Sequence, residues 1–311
     1  MHYERREIMF EVLIKSLTYI LIITIGYTLK KKKIFKKEDA NVVATIIMNI
    51  TLPCALLTSA NGIEMNFIIL ILILIGILSN VIMIFVSYLI TAKENRTLRA
   101  VFMLNASSYN IGNFALPFVQ AFFPSMGVVY LCSFDIGNAL MCLGITYALA
   151  DHVASGENHF DIKDLLKKLF SSIPFDVYVI IFILAIFKLQ IPAPILSIAS
   201  TIGAGNSFLA MLMIGMMLEL KVSPLETKNI IKVIVLRLSG TIFLSLITYF
   251  LLPFPLLVKQ ILIMAFFAPI GTVVPVFTKK IGYEGELSPT ANSLSIILSV
   301  ISMVILLLIF I

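Results

Sequence analysis

The sequence predicts an all-α polytopic membrane protein: ten transmembrane helices in two inverted five-helix repeats. Three observations predict it. Of 311 residues, 60% are hydrophobic and 13% charged, about half the charge of a soluble domain. Apolar runs recur near the ~20 residues that cross a ~30 Å hydrocarbon core. Short loops rich in Lys and Arg alternate with loops almost free of charge.

In chain order, the first repeat covers residues 1–150, with spans at roughly 9–29, 39–61, 67–91, 99–122 and 126–150. The first apolar run is long, lacks a small-residue cleavage site and is interrupted early by Glu11 and Lys15. It is therefore expected to remain a span and not a signal peptide. A cytoplasmic linker, 151–172, follows. Within it Ile162, Leu165, Leu166, Leu169 and Phe170 fall at helical spacing opposite Asp161, Lys163, Asp164, Lys167 and Lys168. That pattern suits a helix lying in the membrane interface, or an extension of the sixth span. The second repeat covers 173–311, with spans at roughly 173–189, 195–218, 228–252, 258–278 and 287–311.

Loop charge sets the expected orientation. The basic loops contain Lys30–Lys37, then Lys93, Arg96 and Arg99, then Lys163, Lys167 and Lys168, then Lys221, Lys228 and Lys232, then Lys279 and Lys280. Short Lys/Arg-rich loops stay cytoplasmic, so a cell-membrane protein with both termini outside is expected. An odd number of spans per half inverts one half relative to the other.

Several classes are excluded. The net charge is +6, but the basic residues are dispersed without interleaved aromatics, so no nucleic-acid surface is expected. Cys54, Cys132 and Cys142 lie in apolar spans, and His2, His152 and His159 form no HExxH pair. No disulfide framework, metal site or cofactor is therefore expected. No nucleophile elbow or phosphate-binding loop occurs, so no catalytic residue is assigned.

Two spans are interrupted. The fourth contains Asn105, Asn110, Gly112, Asn113 and Pro117, and the ninth contains Pro269, Gly271 and Pro275. Proline lacks an N–H and clashes with the preceding turn. Broken backbone at membrane depth is tolerated only inside protein or beside a water-filled cavity. Gly112 aligns with Gly271 and Pro117 with Pro275 to within a residue or two. At one constant offset Asn49 matches Asn206, Leu52 matches Leu209, Asp135 matches Asn292, and Asn138 matches Ser295. Interrupted helices at matching places in two halves point to a substrate site of an inverted-repeat transporter. The plainer alternative is a proline kink with the amides as glue between helices. Asp135 and Arg237 lie at similar depth in an otherwise uncharged interior, which suggests that they pair, or that one carries a coupling ion and the other receives an anion.

The motifs Asn110-Ile-Gly-Asn113-Phe-Ala-Leu-Pro117, Ile50-Thr-Leu-Pro53, Pro269-Ile-Gly-Thr-Val-Val-Pro275 and Ile281-Gly-Tyr-Glu-Gly-Glu-Leu-Ser288 resemble those of the auxin efflux carrier family, which includes plant auxin exporters and prokaryotic malate-permease-like members. The resemblance covers nearly the whole chain. Ala115 stands where the family usually has a second Gly, and Ala210 stands where internal symmetry with Pro53 would place a proline. The resemblance implies that spans one, two, six and seven form a scaffold and the others a mobile unit. It further implies that helices four and nine are broken and cross near mid-membrane at their prolines, with substrate beside the crossing.

The expected function is a secondary active transporter working by alternating access; the resemblance implies that its motion is elevator-like and its substrate a small organic anion, auxin-like or a dicarboxylate such as malate. Substrate contacts are expected from Asn49, Pro53, Asn105, Asn110, Asn113, Gly271 and Arg237. The helix crossover is expected at Gly112, Pro117, Gly271 and Pro275, and ion coupling at Asp135, Asn138, Asn292 and Ser295. Expected partners are the anion, the lipid bilayer and a coupling proton or sodium; a homodimer through the scaffold helices stays open. The alternatives are a sodium-coupled carrier of the bile-acid type, a channel or a membrane sensor.

Overall fold

A computed structural model of the chain describes residues 2–36, 38–59, 61, 66–156, 161–219 and 226–310, with the side chains of 2–9, 164 and 168 left out. Lys37, His159, Lys221 and Ile311, and the side chains of Asp164 and Lys168, which figured in the sequence reading, therefore lie outside what is described.

The described residues are almost entirely helical. The first span is α1 (His2–Lys31). The second is α2 (Asp39–Ile46), a π-helical turn at Ile47–Thr51, and α3 (Leu52–Ser59). Pro53 explains the wide turn: it cannot donate to the Asn49 carbonyl and its ring would clash there, so the ladder opens by one residue. α4 (Phe67–Ile90) begins where the Asn66 side chain accepts from the Ile69 N–H at 3.1 Å, an N-cap that the sequence encodes. Asn95 does the same for α5 (Arg96–Ala106), accepting from Leu98 N–H at 2.8 Å. After a break, a second π-turn at Ile111–Ala115 leads into α6 (Leu116–Phe122). The fifth span is α7 (Ser125–Leu140), a third π-turn at Met141–Ile145, and α8 (Thr146–Ser155).

The linker forms its own helix, α9 (Ile162–Leu169), capped by Asp161 and ended by a turn before α10 (Ile173–Ile186). The segment is thus separate from the sixth span, and buries Leu165 and Leu169 while exposing Ile162, Leu166 and Phe170. Then follow α11 (Ala193–Gly203), α12 (Asn206–Met217), α13 (Thr227–Phe250), α14 (Leu256–Phe266), α15 (Val274–Lys280) and α16 (Leu287–Phe310).

Seven helices among the described residues are long and apolar enough to cross a membrane. The fourth, sixth and ninth expected spans contain shorter apolar helices, Ile111–Phe122, Ile173–Ile186 and Leu256–Phe266. Outward faces are apolar. On α4, Leu70, Leu74, Leu78 and Phe85 are exposed at helical spacing, a surface suited to lipid and not to water. This architecture is that of a multi-pass membrane protein.

The helices pack in two groups. In one, α1 lies on α12, and α3 lies on α10 and α11. In the other, α4 packs on α5 and α7, α5 on α8, α7 on α14, and α13 on α14 and α16. Each group has a seam where backbones touch. Between α4 and α7, a Cβ on Gly76 would fall 2.2 Å from the Phe134 carbonyl oxygen, and one on Gly137 2.1 Å from that of Ile73. Between α1 and α12, Gly26 and Gly215 meet Leu212 and Ile23 in the same reciprocal way. Lipid supplies no hydrophobic drive between helices, so close approach at small residues holds such seams. Gly137→Val is therefore expected to cost about 1–3 kcal/mol or more by overpacking. The check is a lowered thermal midpoint of the purified protein in detergent, beside an unchanged midpoint for a lipid-facing change such as Leu74→Val.

Candidate substrate site

The site begins where two helices end. α5 stops at Ala106; Ser107 is extended and Ser108 has a positive φ of 65°. A non-glycine residue there is strained by roughly 1–2 kcal/mol. Ser108 is held by its neighbours: its N–H donates to Asn80 Oδ1 at 2.7 Å, and its carbonyl accepts from Gly271 N–H at 3.3 Å. α14 stops at Phe266, because the residue before a proline is disfavoured in the α region and Pro269 follows closely. The freed strands cross as an antiparallel bridge between Tyr109 and Ile270, with Asn110 N–H donating to the Pro269 carbonyl at 2.9 Å.

A helix end leaves carbonyls without intrahelical donors and carries partial negative charge. Two such ends meet here, and Arg237 of α13 lies between them. Its Nη1 donates to the carbonyls of Ala106 and Ser107 at 3.0 Å and of Asn105 at 3.4 Å. Its Nη2 donates to Ser108 and Pro269 at 3.1 Å and Ala268 at 3.0 Å. One helical turn on, Thr241 Oγ1 donates to the Phe266 carbonyl at 3.0 Å. Arg237 is buried and its guanidinium stacks 4.9 Å from the centre of the Tyr109 ring.

The matched polar pairs of the fifth and tenth spans hold the two bridge residues. Asn138 accepts from Tyr109 N–H at 3.0 Å and donates to its carbonyl at 2.8 Å. Ser295 Oγ accepts from Ile270 N–H at 3.0 Å, and Asn292 Nδ2 donates to the Ile270 and Gly271 carbonyls, both at 3.3 Å.

Beside the bridge is a cavity of about 300 Å³. Of the residues expected at the site, Asn110, Gly112, Asn113, Asp135, Asn138 and Gly271 line it. Two of their polar atoms are buried without a hydrogen-bond partner among the described residues: Asn110 Nδ2 and Asn113 Oδ1. The wall at Ile111–Asn113 is also the first turn of the half-helix that runs on through α6; Ile111 N–H turns back to the Tyr109 carbonyl at 3.0 Å, and the N–H groups that follow it have no preceding helical carbonyl to bond. Asp135 accepts from Asn138 Nδ2 at 2.9 Å and from the Tyr178 hydroxyl at 3.0 Å. Among the described residues it is the one acidic side chain on this wall, and no Lys, Arg or His lines the cavity.

Several expectations are corrected by this geometry. The crossing lies at Tyr109 and Ile270, not at Pro117 and Pro275. Both prolines sit in the first turn of the following helix, where the missing N–H costs nothing. Arg237 neither lines the cavity nor pairs with Asp135, because its donors are taken by helix-end carbonyls. Asn49 is exposed: the face of the second span that meets the cavity is Ala44, Met48 and Leu52, at spacing four. Pro53 is buried and does not line the cavity. Asn105 is engaged with the Val101 carbonyl and Ser288 Oγ, and Asn292 and Ser295 hold backbone instead of facing the cavity.

The sequence reading missed Asn80 and Tyr178. Asn80 could have been found as a lone amide in the most apolar span; Tyr178 had no signal beyond a hydroxyl inside an apolar run.

With the site described, comparison with known proteins adds one finding. Residues 11–161 match the family model described as membrane transport protein. That match spans a little under half of the chain and takes in the first interrupted helix and Asp135. No curated protein matches the sequence.

Arg237→Met is expected to leave the carbonyls of Ala106, Ser107 and Ala268 buried and unpaired, at about 1–3 kcal/mol each, and so to lose most of the monodisperse protein on size-exclusion chromatography. Arg237→Lys keeps the charge but not the fork, and should give an intermediate yield and a lowered thermal midpoint. Asn113→Ala should match the unsubstituted protein in both measurements.

Proposed function

We propose that the protein is a secondary transporter that binds a small organic anion by its carboxylate beside the Tyr109–Ile270 bridge and moves it by alternating access. The observation that carries this reading is the unpartnered buried donor Asn110 Nδ2 beside the open first turn of the Ile111–Phe122 half-helix, on a cavity formed where two interrupted helices cross. The positive end of the Ile111–Phe122 half-helix favours an anion there. The family match over residues 11–161 supports transport as the class. On this reading ten segments cross the membrane in two inverted five-helix repeats, and the two packing groups are scaffold and mobile unit. The corresponding roles of Asn138 on Tyr109, and of Ser295 and Asn292 on Ile270, support the repeat. Asp135, without an ion pair among the described residues, is the group through which a coupling proton or sodium would act.

Uptake into proteoliposomes of a panel of labelled carboxylates, with pH and sodium gradients imposed separately, tests the reading. A carboxylate should accumulate under one gradient, and Asn110→Ala, which removes the free donor Nδ2, should weaken its uptake about tenfold or more, since a hydrogen bond to a charged group contributes about 1.5–3 kcal/mol. Gradient-independent leak of ions through the wild type would support a channel instead. For topology, Ile34→Cys in a chain without native Cys should resist an impermeant thiol reagent on intact cells; efficient labelling would place the basic loops outside and sink the orientation.

A further inference from the structure

We propose that the cavity selects a carboxylate that also carries an ammonium group, an amino acid with an apolar side chain, over a dicarboxylate. This rests on the reading that the cavity binds a carboxylate. The cavity has two unlike polar ends. One offers donors: Asn110 Nδ2, 6% exposed and unpartnered, and the first turn of the Ile111–Phe122 half-helix. That end fits the carboxylate. The other offers acceptors. Asn113 Oδ1 is buried without a donor, and an unsatisfied buried acceptor calls for an N–H or O–H from the ligand. Asp135 adds two carboxylate oxygens, one taken by Asn138 and one by Tyr178, so each keeps acceptor capacity toward the cavity.

A simple anion supplies no donor for this second end and brings its charge toward Asp135. A dicarboxylate is worse matched, because no Lys, Arg or His among the described residues lines the cavity to receive a second carboxylate. Arg237 cannot turn to it, since its donors are spent on the helix-end carbonyls. An ammonium group satisfies Asn113 Oδ1 and neutralises Asp135 together. Most of the remaining wall is apolar, with Met48, Leu52, Leu143, Phe175 and Val273 beside Ser172 and Thr272, and fits a hydrocarbon or aromatic side chain.

Three probes share one ring and differ in charge: L-phenylalanine, 3-phenylpropanoate and phenylsuccinate. Their protection of the purified full-length protein against thermal unfolding is measured in detergent at neutral pH, with no gradient present. Phenylalanine is expected to reach half-maximal protection at about tenfold lower concentration than either other probe, equivalent to ~1.4 kcal/mol. Asp135→Asn should shrink that advantage to about twofold or less while 3-phenylpropanoate, freed of the facing negative charge, protects at least as well as before. If 3-phenylpropanoate or phenylsuccinate equals phenylalanine on the wild type, the amino-acid assignment is overturned and the carboxylate site stands. If none of the three protects, both are overturned. Should Asp135→Asn fail to fold, the wild-type ranking decides alone.

Discussion

A permanent charge buried between two helix ends is the constraint on which the rest of this structure depends. Interrupting a helix inside a bilayer exposes carbonyls that neither lipid nor water can satisfy, and the chain does so twice in the same place. Arg237 answers both interruptions with one side chain. Its own desolvation would be costly in an apolar interior, but the two helix termini supply partial negative charge and six carbonyl acceptors. Neither half of the arrangement is stable without the other. Arg suits the position because its donors radiate in one plane, while an ammonium gathers three donors at a point.

Once the crossing is fixed, the polar residues around it divide by task. Asn80, Asn138, Asn292 and Ser295 hold backbone, and Asn138 also donates to Asp135. Asn110, Asn113 and Asp135 keep capacity toward the cavity. Tyr178 comes from the first packing group and Asp135 from the second, so the bond between them joins the two groups at the cavity wall.

The sequence carried the fold in unequal parts. Long apolar runs and the interrupted spans were legible because lipid and helix geometry act locally on residue type. The amide pair Asn110 and Asn113 was legible for the same reason: a polar cluster inside an apolar span has few purposes. The place of the break was not. Proline marks where a helix restarts as readily as where it stops, so Pro117 and Pro275 pointed several residues past the crossing. Arg237 was legible as important but not as structural, because its acceptors are backbone carbonyls, which every sequence contains and none displays. Asn49 was misassigned because a match between repeats carries no information on burial: its counterpart Asn206 is buried and accepts from Thr51 Oγ1, while Asn49 itself is exposed.

The glycine seam between α4 and α7 has a consequence for precision at the cavity. Asn80 is on one helix of that seam and Asn138 on the other, and both grip the short segment Ser108–Tyr109. With the helix backbones in direct contact, no compliant side chain lies between them to absorb a shift. The seam works as a ruler, since the thickness of two backbones sets how far apart the two amides stand. Any added atom there would be transmitted to the strained Ser108 and from it to the mouth of the half-helix at Asn110. Tolerance for sequence drift should accordingly be lower along this lipid-shielded contact than at many residues lining the cavity itself.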